Sequence, residues 1–482
     1  MRYRVILKIL GILLMIFSIT MLPALFISFL YEDDAHQAFM AGFAITLLTG
    51  FFLWLPVYRV REELRTRDGF LITVLFWTVL GLFGAVPLML ADFPHLRVVD
   101  AVFESISGLT TTGATVMTGI DWLPPSILFY RQQLQWLGGM GIIVLAVAIL
   151  PMLGIGGMQL YRAETPGPVK DSKLTPRITE TAKALWYIYL SLTVVCALGY
   201  WLAGMTAFDA IAHSFSTVAI GGFSTHDASI AYFDNQVIES IAIFFMLVSG
   251  VNFGLHFFAW RQHSIRHYFQ DPEFRFYLIL LGSTLVLTFV VLVVTGTYAA
   301  SEAMRRAAFM VVSIATTTGF ATADFASWPA MLPFLLFVTA FAGGCAASTG
   351  GGMKVIRILL ILKQGYREIQ RLVHPSAIIS VKVGNRPISD RVLEAVWGFF
   401  SVYLLVFVLM LIALLGTGLD QVTAWSAVGA TLNNLGPGLG DVSTHFGNLN
   451  DTAKWILCFA MLLGRLEVFT LLVLFTPIFW RR

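Results

Sequence analysis

The sequence predicts an all-α polytopic membrane protein with ten spans: an N-terminal two-helix hairpin followed by four similar helical repeats. Composition is the first reason, since 57% of the 482 residues are hydrophobic and 12% charged, against about 45–50% and 25% in soluble domains. Length is the second. Ten apolar runs, near 3–30, 36–58, 69–91, 126–152, 183–206, 235–260, 275–298, 331–362, 392–416 and 453–479, reach the roughly 20 residues that a crossing helix needs. Recurrence is the third: a small-polar run with a glycine returns four times between spans.

The first run follows Arg2, Arg4 and Lys8, the charge pattern of a secretory signal. From Ile6 to Leu30 it is longer than a signal's apolar region, and a second run follows at once, so residues 1–58 read as a retained hairpin. The repeats occupy 69–152, 183–260, 275–362 and 391–482. Cys196, Cys345 and Cys458 lie in apolar runs without CxxC spacing, as packing residues do, so neither a disulfide framework nor a cysteine metal site has support.

Basic loops stay cytoplasmic. With both termini on one side, 25 of the 31 Lys and Arg residues fall there: the N-terminus, loops 59–68, 153–183, 261–275 and 354–391, and Arg481 and Arg482. Arg97, Arg131, Arg305, Arg306 and Lys454 fall opposite, and Arg465 lies within a span. Sixteen of the 28 acids lie outside. They either concentrate cations at the outer face or reflect only that acids cross more easily than bases.

The four small-polar runs are Thr110-Thr111-Thr112-Gly113, Ala219-Ile220-Gly221-Gly222, Thr316-Thr317-Thr318-Gly319 and Asn433-Asn434-Leu435-Gly436, with glycines 109, 97 and 117 residues apart. Six residues before the glycine stand Ser107, Ser216, Ser313 and, in the fourth, Ala430. Each run follows a short apolar stretch, at 100–109, 209–218, 302–315 and 420–432. At about 1.5 Å per residue such a helix enters a bilayer without crossing it. Asp100, Asp209, Glu302 and Asp420 open these stretches, where an acid suits the positive helix end. The negative ends then point inward, which favours a partly dehydrated cation. Exposed carbonyls at membrane depth are tolerated only in protein or along a water-filled path, and a ring of them can replace an ion's hydration shell.

A second irregular segment is the glycine-rich stretch 342–354. Too few apolar residues (331–341) precede it to have crossed, and an apolar stretch, 355–362, follows, so the sequence predicts a helix broken inside the membrane. It lacks the GxxxxGK[ST] spacing of a phosphate loop. Arg465 sits mid-span, facing either a pore or an ion-pair partner in another repeat; Glu467, two residues on, cannot face it along one helix. Lys354 and Glu467 are weaker gating candidates, and His213 and His226 read as packing or surface residues. No HExxH, GxSxG or Cys/His cluster supports an enzyme, and four same-orientation units differ from the two inverted halves of many carriers.

The segments FESISGLTTTGAT (103–115), HSFSTVAIGGFST (213–225), SIATTTGFAT (313–322) and TLNNLGPGLG (431–440), with WLGGMGI (136–142), AGGCAASTGGGMKVIR (342–357) and LLGRLEVFT (462–470), resemble the Trk/Ktr/HKT superfamily of potassium transporters. The N-terminal hairpin is similar to the TrkH/TrkI branch. The resemblance implies four repeats of helix, pore helix, filter and helix around one pore, in the bacterial inner membrane. It assigns potassium-coordinating carbonyls to Thr110, Thr111, Thr112, Gly113, Ala219, Ile220, Gly221, Gly222, Thr316, Thr317, Thr318, Gly319, Asn433, Asn434, Leu435 and Gly436, with an irregular fourth quadrant at Asn433, Asn434 and Leu435. Gly113, where sodium-preferring plant members carry serine, fits potassium. The stretch holding Gly343, Gly344, Ser348, Thr349, Gly350, Gly351, Gly352 and Lys354 resembles an intramembrane gating loop, with Arg465 a second barrier.

The resemblance further implies a homodimer on a cytoplasmic TrkA-type nucleotide-binding ring, with NAD or ATP held by that partner; this chain carries no GxGxxG fingerprint, binds no cofactor beyond its potassium substrate, and meets membrane lipid but no nucleic acid. A sodium-coupled Ktr-like transporter remains the nearest alternative. The topology is tested by cysteine placed at residue 171: reagents should label it from the cytoplasmic side and not from outside intact cells.

Overall fold

The computed structural model describes residues 2–60, 62, 66–144, 178–329, 331–384 and 386–481. Residues 145–177, which hold the end of the predicted span 126–152 and most of the predicted loop 153–183, lie outside them. The hairpin comprises α1 (Tyr3–Ile19), α2 (Leu22–Tyr31) and α3 (His36–Trp54). α1 and α3 cross where Gly11 meets Gly50: a Cβ on Gly11 would lie 2.6 Å from the Gly50 oxygen. Small residues of this kind let helix backbones approach in lipid, where packing replaces the hydrophobic effect.

Repeat one contains α4 (Thr66–Gly84), α5 (Val86–Leu90), the half-length α6 (Val98–Leu109) and α7 (Pro125–Val144). Repeat two contains α8 (Ile178–Leu202), the half-length α9 (Ala207–Ala219), α10 (Gln236–Ser249) and α11 (Phe253–Arg261). After the short α12 (Arg266–Gln270), repeat three contains α13 (Pro272–Val294), the half-length α14 (Ala300–Ala315), α15 (Leu332–Ala342) and α16 (Val355–Val373). A small hairpin pairs Lys382–Val383 with Arg386–Pro387. Repeat four contains α17 (Asp390–Leu415), the half-length α18 (Gln421–Leu432), α19 (Asp451–Arg465), α20 (Phe469–Leu472) and α21 (Pro477–Trp480).

All four expected half-length helices are present. Asp100, Asp209 and Glu302 lie in their first turns. Asp420 caps α18, accepting the amides of Val422 at 3.0 Å and Thr423 at 3.1 Å.

The spans depart from the prediction in three ways. Six helical segments among the described residues are long and apolar enough to cross a membrane, and two further pairs reach that length only together, bent by 94° between α10 and α11 and by 107° after α19. The expected continuous helices at 235–260 and 453–479 are therefore broken. α7 is polar for a span because Arg131, Gln132, Gln133 and Gln135 interrupt it, all of them buried. α16 runs to Val373, well past the expected end at 362.

Each half-length helix packs in its own repeat and against the preceding one: α9 on α7, α14 on α10, and α6 back on α19. Between α15 and α18, Phe334 stacks on Trp425 with centroids 4.7 Å apart. The four repeats thus close on themselves.

Candidate ion pathway

The four small-polar runs meet at the carboxyl ends of the half-length helices. A Cβ added to Gly113 would run into the carbonyl oxygen of Gly221, and one on Gly222 into that of Thr318. One on Gly319 would stand 3.1 Å from the Gly436 nitrogen, and one on Gly436 2.8 Å from the Gly113 oxygen. Each run touches the next and the fourth returns to the first. The result is a closed ring of backbone in which these glycines leave no room for side chains.

The runs share one turn. The amide of the third residue donates to the carbonyl five positions earlier: Thr112 to Ser107 at 2.9 Å, Gly221 to Ser216, Thr318 to Ser313 and Leu435 to Ala430 at 2.8 Å each. That contact uses the recurrent serine's carbonyl rather than its hydroxyl, so Ala430 serves equally well. The second residue is left-handed throughout, with φ of 56° at Thr111, 55° at Ile220, 70° at Thr317 and 53° at Asn434. Such angles cost a residue with a side chain about 1–3 kcal/mol, so surrounding packing must sustain them.

The fourth quadrant differs in an unexpected place. Asn433, Asn434 and Leu435 follow the common turn; Gly436 departs, because Gly113, Gly222 and Gly319 have φ of 79°, 79° and 86° and Gly436 does not share a positive angle. Pro437 follows it, and a residue before proline is biased to extended backbone. The asparagines are tied down: Tyr403 donates to Asn433 Oδ1 at 2.8 Å, and Asn434 Nδ2 donates to Thr112 Oγ1 and the Met461 carbonyl at 3.0 Å each.

The glycine-rich loop lies across the bases of three runs. The Gly351 amide donates to Thr317 Oγ1 at 2.7 Å, the Gly352 amide to the Asn433 carbonyl at 3.0 Å, and Thr349 Oγ1 to the Val218 carbonyl at 3.0 Å. Gly343, Gly352 and Lys354 have φ of 65°, 73° and 76°. The first two follow from glycine's freedom there. Gly344 approaches Ser348, whose hydroxyl donates to the Cys345 carbonyl at 2.6 Å, and the Lys354 ammonium reaches the Gly350 carbonyl.

Arg465 bonds across to the first repeat. It ends α19, where its guanidinium donates to the carbonyls of Gly138 and Gly139 and lies 5.1 Å over the Trp77 ring. These bonds cross to another repeat, near the point where α7 breaks at Gly141 with φ 29° and ψ −131°. Glu467 pairs with Arg357 at 2.6 Å.

The sequence matches the TrkH family, described as cation transport proteins, over residues 35–481. The chain belongs to the TrkH family. A Trk system potassium uptake protein TrkH of Halomonas elongata is 65% identical over 482 residues, covering 100% of both chains, and its Vibrio parahaemolyticus counterpart is 58% identical over 484 with the same coverage. The crystal structure of the potassium transporter TrkH from Vibrio parahaemolyticus superimposes with a TM-score of 0.91 at 56% identity, again over 100% of both chains. These relatives are transporters, as expected of a chain without an enzymatic motif.

The TrkH-family fold therefore brings all sixteen predicted filter positions into the ring and places the predicted gating stretch against it. Several residues that hold the ring were not singled out from sequence. Arg131 and Glu104, both buried, pair at 2.8 Å; Glu104 accepts Thr115 Oγ1 and the Val116 amide at 2.9 Å each. Glu273 accepts the amides of Ala346 at 2.7 Å and Ile356 at 3.1 Å and so holds both ends of the loop. Among the described residues no group of His, Cys, Asp and Glu could hold a metal ion.

Beyond the second run, His226 does more than fill surface. It bridges repeats one and two, bonded to Asp121 at 2.5 Å, 3.6 Å from Asp209, and stacked on Tyr232 at 3.4 Å. Partial burial alone lowers its pKa, but Asp209 and Asp121 outweigh that and leave it raised. A raised histidine contributes stability that is full below its ordinary value near 6.5 and is lost as pH rises through the folded value. His226→Gln should therefore lower thermal stability in detergent by about 0.5 kcal/mol at pH 6 and by almost nothing at pH 9, checked by unfolding midpoints at both pH values.

Proposed function

We propose that this chain takes up potassium through the ring of the four runs, as a subunit of a Trk-type system in the bacterial inner membrane. The closed ring of four like backbone turns carries this reading. Its buried carbonyls, at the negative ends of four half-length helices, suit a partly dehydrated cation. In the proposal the carbonyls of 110–113, 219–222, 316–319 and 433–436 coordinate the ion, and the names of the relatives favour potassium over sodium. Both termini are cytoplasmic, supported by the bias of 25 of 31 basic residues.

The loop 343–354 is the gate in this proposal. It touches the third and fourth runs and Val218, just before the second, while Arg465, bonded to Gly138 and Gly139, adds a positive barrier that an ion crosses when pushed by the next. The family resemblance adds a homodimer and a cytoplasmic TrkA-type ring carrying NAD or ATP, which would act on the loop from the basic face.

Replacing Gly113 or Gly319 by alanine should lower the potassium-to-sodium flux ratio in vesicles by about threefold or more, since a Cβ there shifts strained carbonyls. Unchanged ratios in both variants would remove the filter from these runs.

Shortening the loop within 345–352, or Arg465→Ala, should raise basal flux without partner subunits and leave the ratio intact. Closed-state flux at the unmodified level in both folded variants would place the gate elsewhere.

A further inference from the structure

The second run has a side-chain contact at its third carbonyl. Gln135 of α7 is buried, and its side-chain amide meets the run twice: Nε2 donates to the Gly221 carbonyl at 2.6 Å, and Oε1 accepts the Phe223 amide at 3.1 Å. The opposite amide orientation would set oxygen against oxygen, so both contacts select this one. Neighbouring side chains of α7 extend the row: Gln132 Nε2 donates to the Phe223 carbonyl at 3.1 Å and Arg131 to the Ser224 carbonyl at 3.4 Å. Gly221 has no room for a Cβ because the Gln135 amide fills the place. Among the described residues no side chain donates to the equivalent carbonyls of Thr112, Thr318 or Leu435.

We propose that Gln135 is a positioning residue for ion selectivity, holding the Gly221 carbonyl and setting how strongly that layer of the ring attracts a cation. This rests on the reading of residues 219–222 as filter. A carbonyl oxygen has two lone pairs. Gln135 occupies one and leaves the other for an ion, so among the described residues the Gly221 carbonyl is the one of its layer held in direction by a side chain. Selectivity depends on the number and field strength of coordinating oxygens and on how far they yield to a smaller ion. A carbonyl fixed from behind yields less, which disfavours sodium.

The test uses full-length protein in vesicles and compares potassium and sodium flux for Gln135→Leu and Gln135→Met, which remove both contacts, the second keeping the length of the side chain. A Gly436→Ala variant serves as a filter control. The ratio should fall by about two- to tenfold in both Gln135 variants, the scale of one buried hydrogen bond, with total potassium flux changed less than the ratio. Should one variant fail to fold, Gln135→Asn, which retains the amide on a shorter stem, takes its place with the same expected fall. Lower total flux with an unchanged ratio would make Gln135 a packing residue and overturn the proposal. If Gly436→Ala changes the ratio and the Gln135 variants do not, the filter reading stands and this one falls. If none changes it, both fall together.

Discussion

Backbone polar groups cannot be left unpaired at membrane depth, and the architecture of this chain follows from how its broken helices meet that requirement. The break after α10 leaves the carbonyls of Ser249 and Gly250, which accept the amides of Thr349 at 3.4 Å and Cys345 at 2.8 Å from the loop of repeat three; Ala347 in turn accepts the Phe253 amide at 3.0 Å. The break in α7 leaves the carbonyls of Gly138 and Gly139, which accept Arg465 from repeat four. Within repeat three, the Met353 amide returns to the Phe341 carbonyl at 2.9 Å. Each such group left unpaired costs about 1–3 kcal/mol. The repeats are thus joined by hydrogen bonds that no single repeat could make for itself.

The same requirement explains why sequence symmetry is loose where backbone symmetry is tight. The common turn needs a carbonyl five positions before its third residue, a residue able to sit in the left-handed region, and room beside the neighbouring run. Serine or alanine satisfies the first. Threonine, isoleucine and asparagine all occupy the second, at a strain that the burial of all four runs sustains. Only the third demands glycine, because the next run's carbonyl stands where a Cβ would go at Gly113 and Gly222.

Much of this was legible in the sequence, and the reasons for the rest are local. Half-length helices, small-polar runs and the loop at 342–354 are visible because length and glycine content speak directly about membrane depth. The bends at 250–252 and 466–468 are not: Gly250-Val251-Asn252 and Leu466-Glu467-Val468 sit in apolar surroundings, and their breaks are stabilised by distant segments. For Arg465, the sequence showed a charge within a span but not that α19 ends there or that the side chain reaches the Gly138 carbonyl of α7. The row Arg131-Gln132-Gln133-Leu134-Gln135 was the signal for the supports behind the second run, since four long polar residues in a span must find partners inside the protein.

The contacts between loop and ring carry a consequence for any movement of the loop. The Gly351 and Gly352 amides bond to Thr317 and Asn433, which belong to the third and fourth runs, and a Cβ on Gly351 would strike the Asn433 oxygen. Moving the loop therefore removes partners from the strained turns themselves. On the reading of the loop as gate and the runs as filter, the two share hydrogen bonds, and their equilibria are coupled in both directions. An ion that stabilises the ring's turns biases the loop, and a partner that draws the loop away alters the ring's hold on the ion. Withdrawal also strips the carbonyls of Ser249 and Gly250 of their donors, so an open state requires water in their place. On the reading of the loop as gate, its displacement and the wetting of the space it leaves go together.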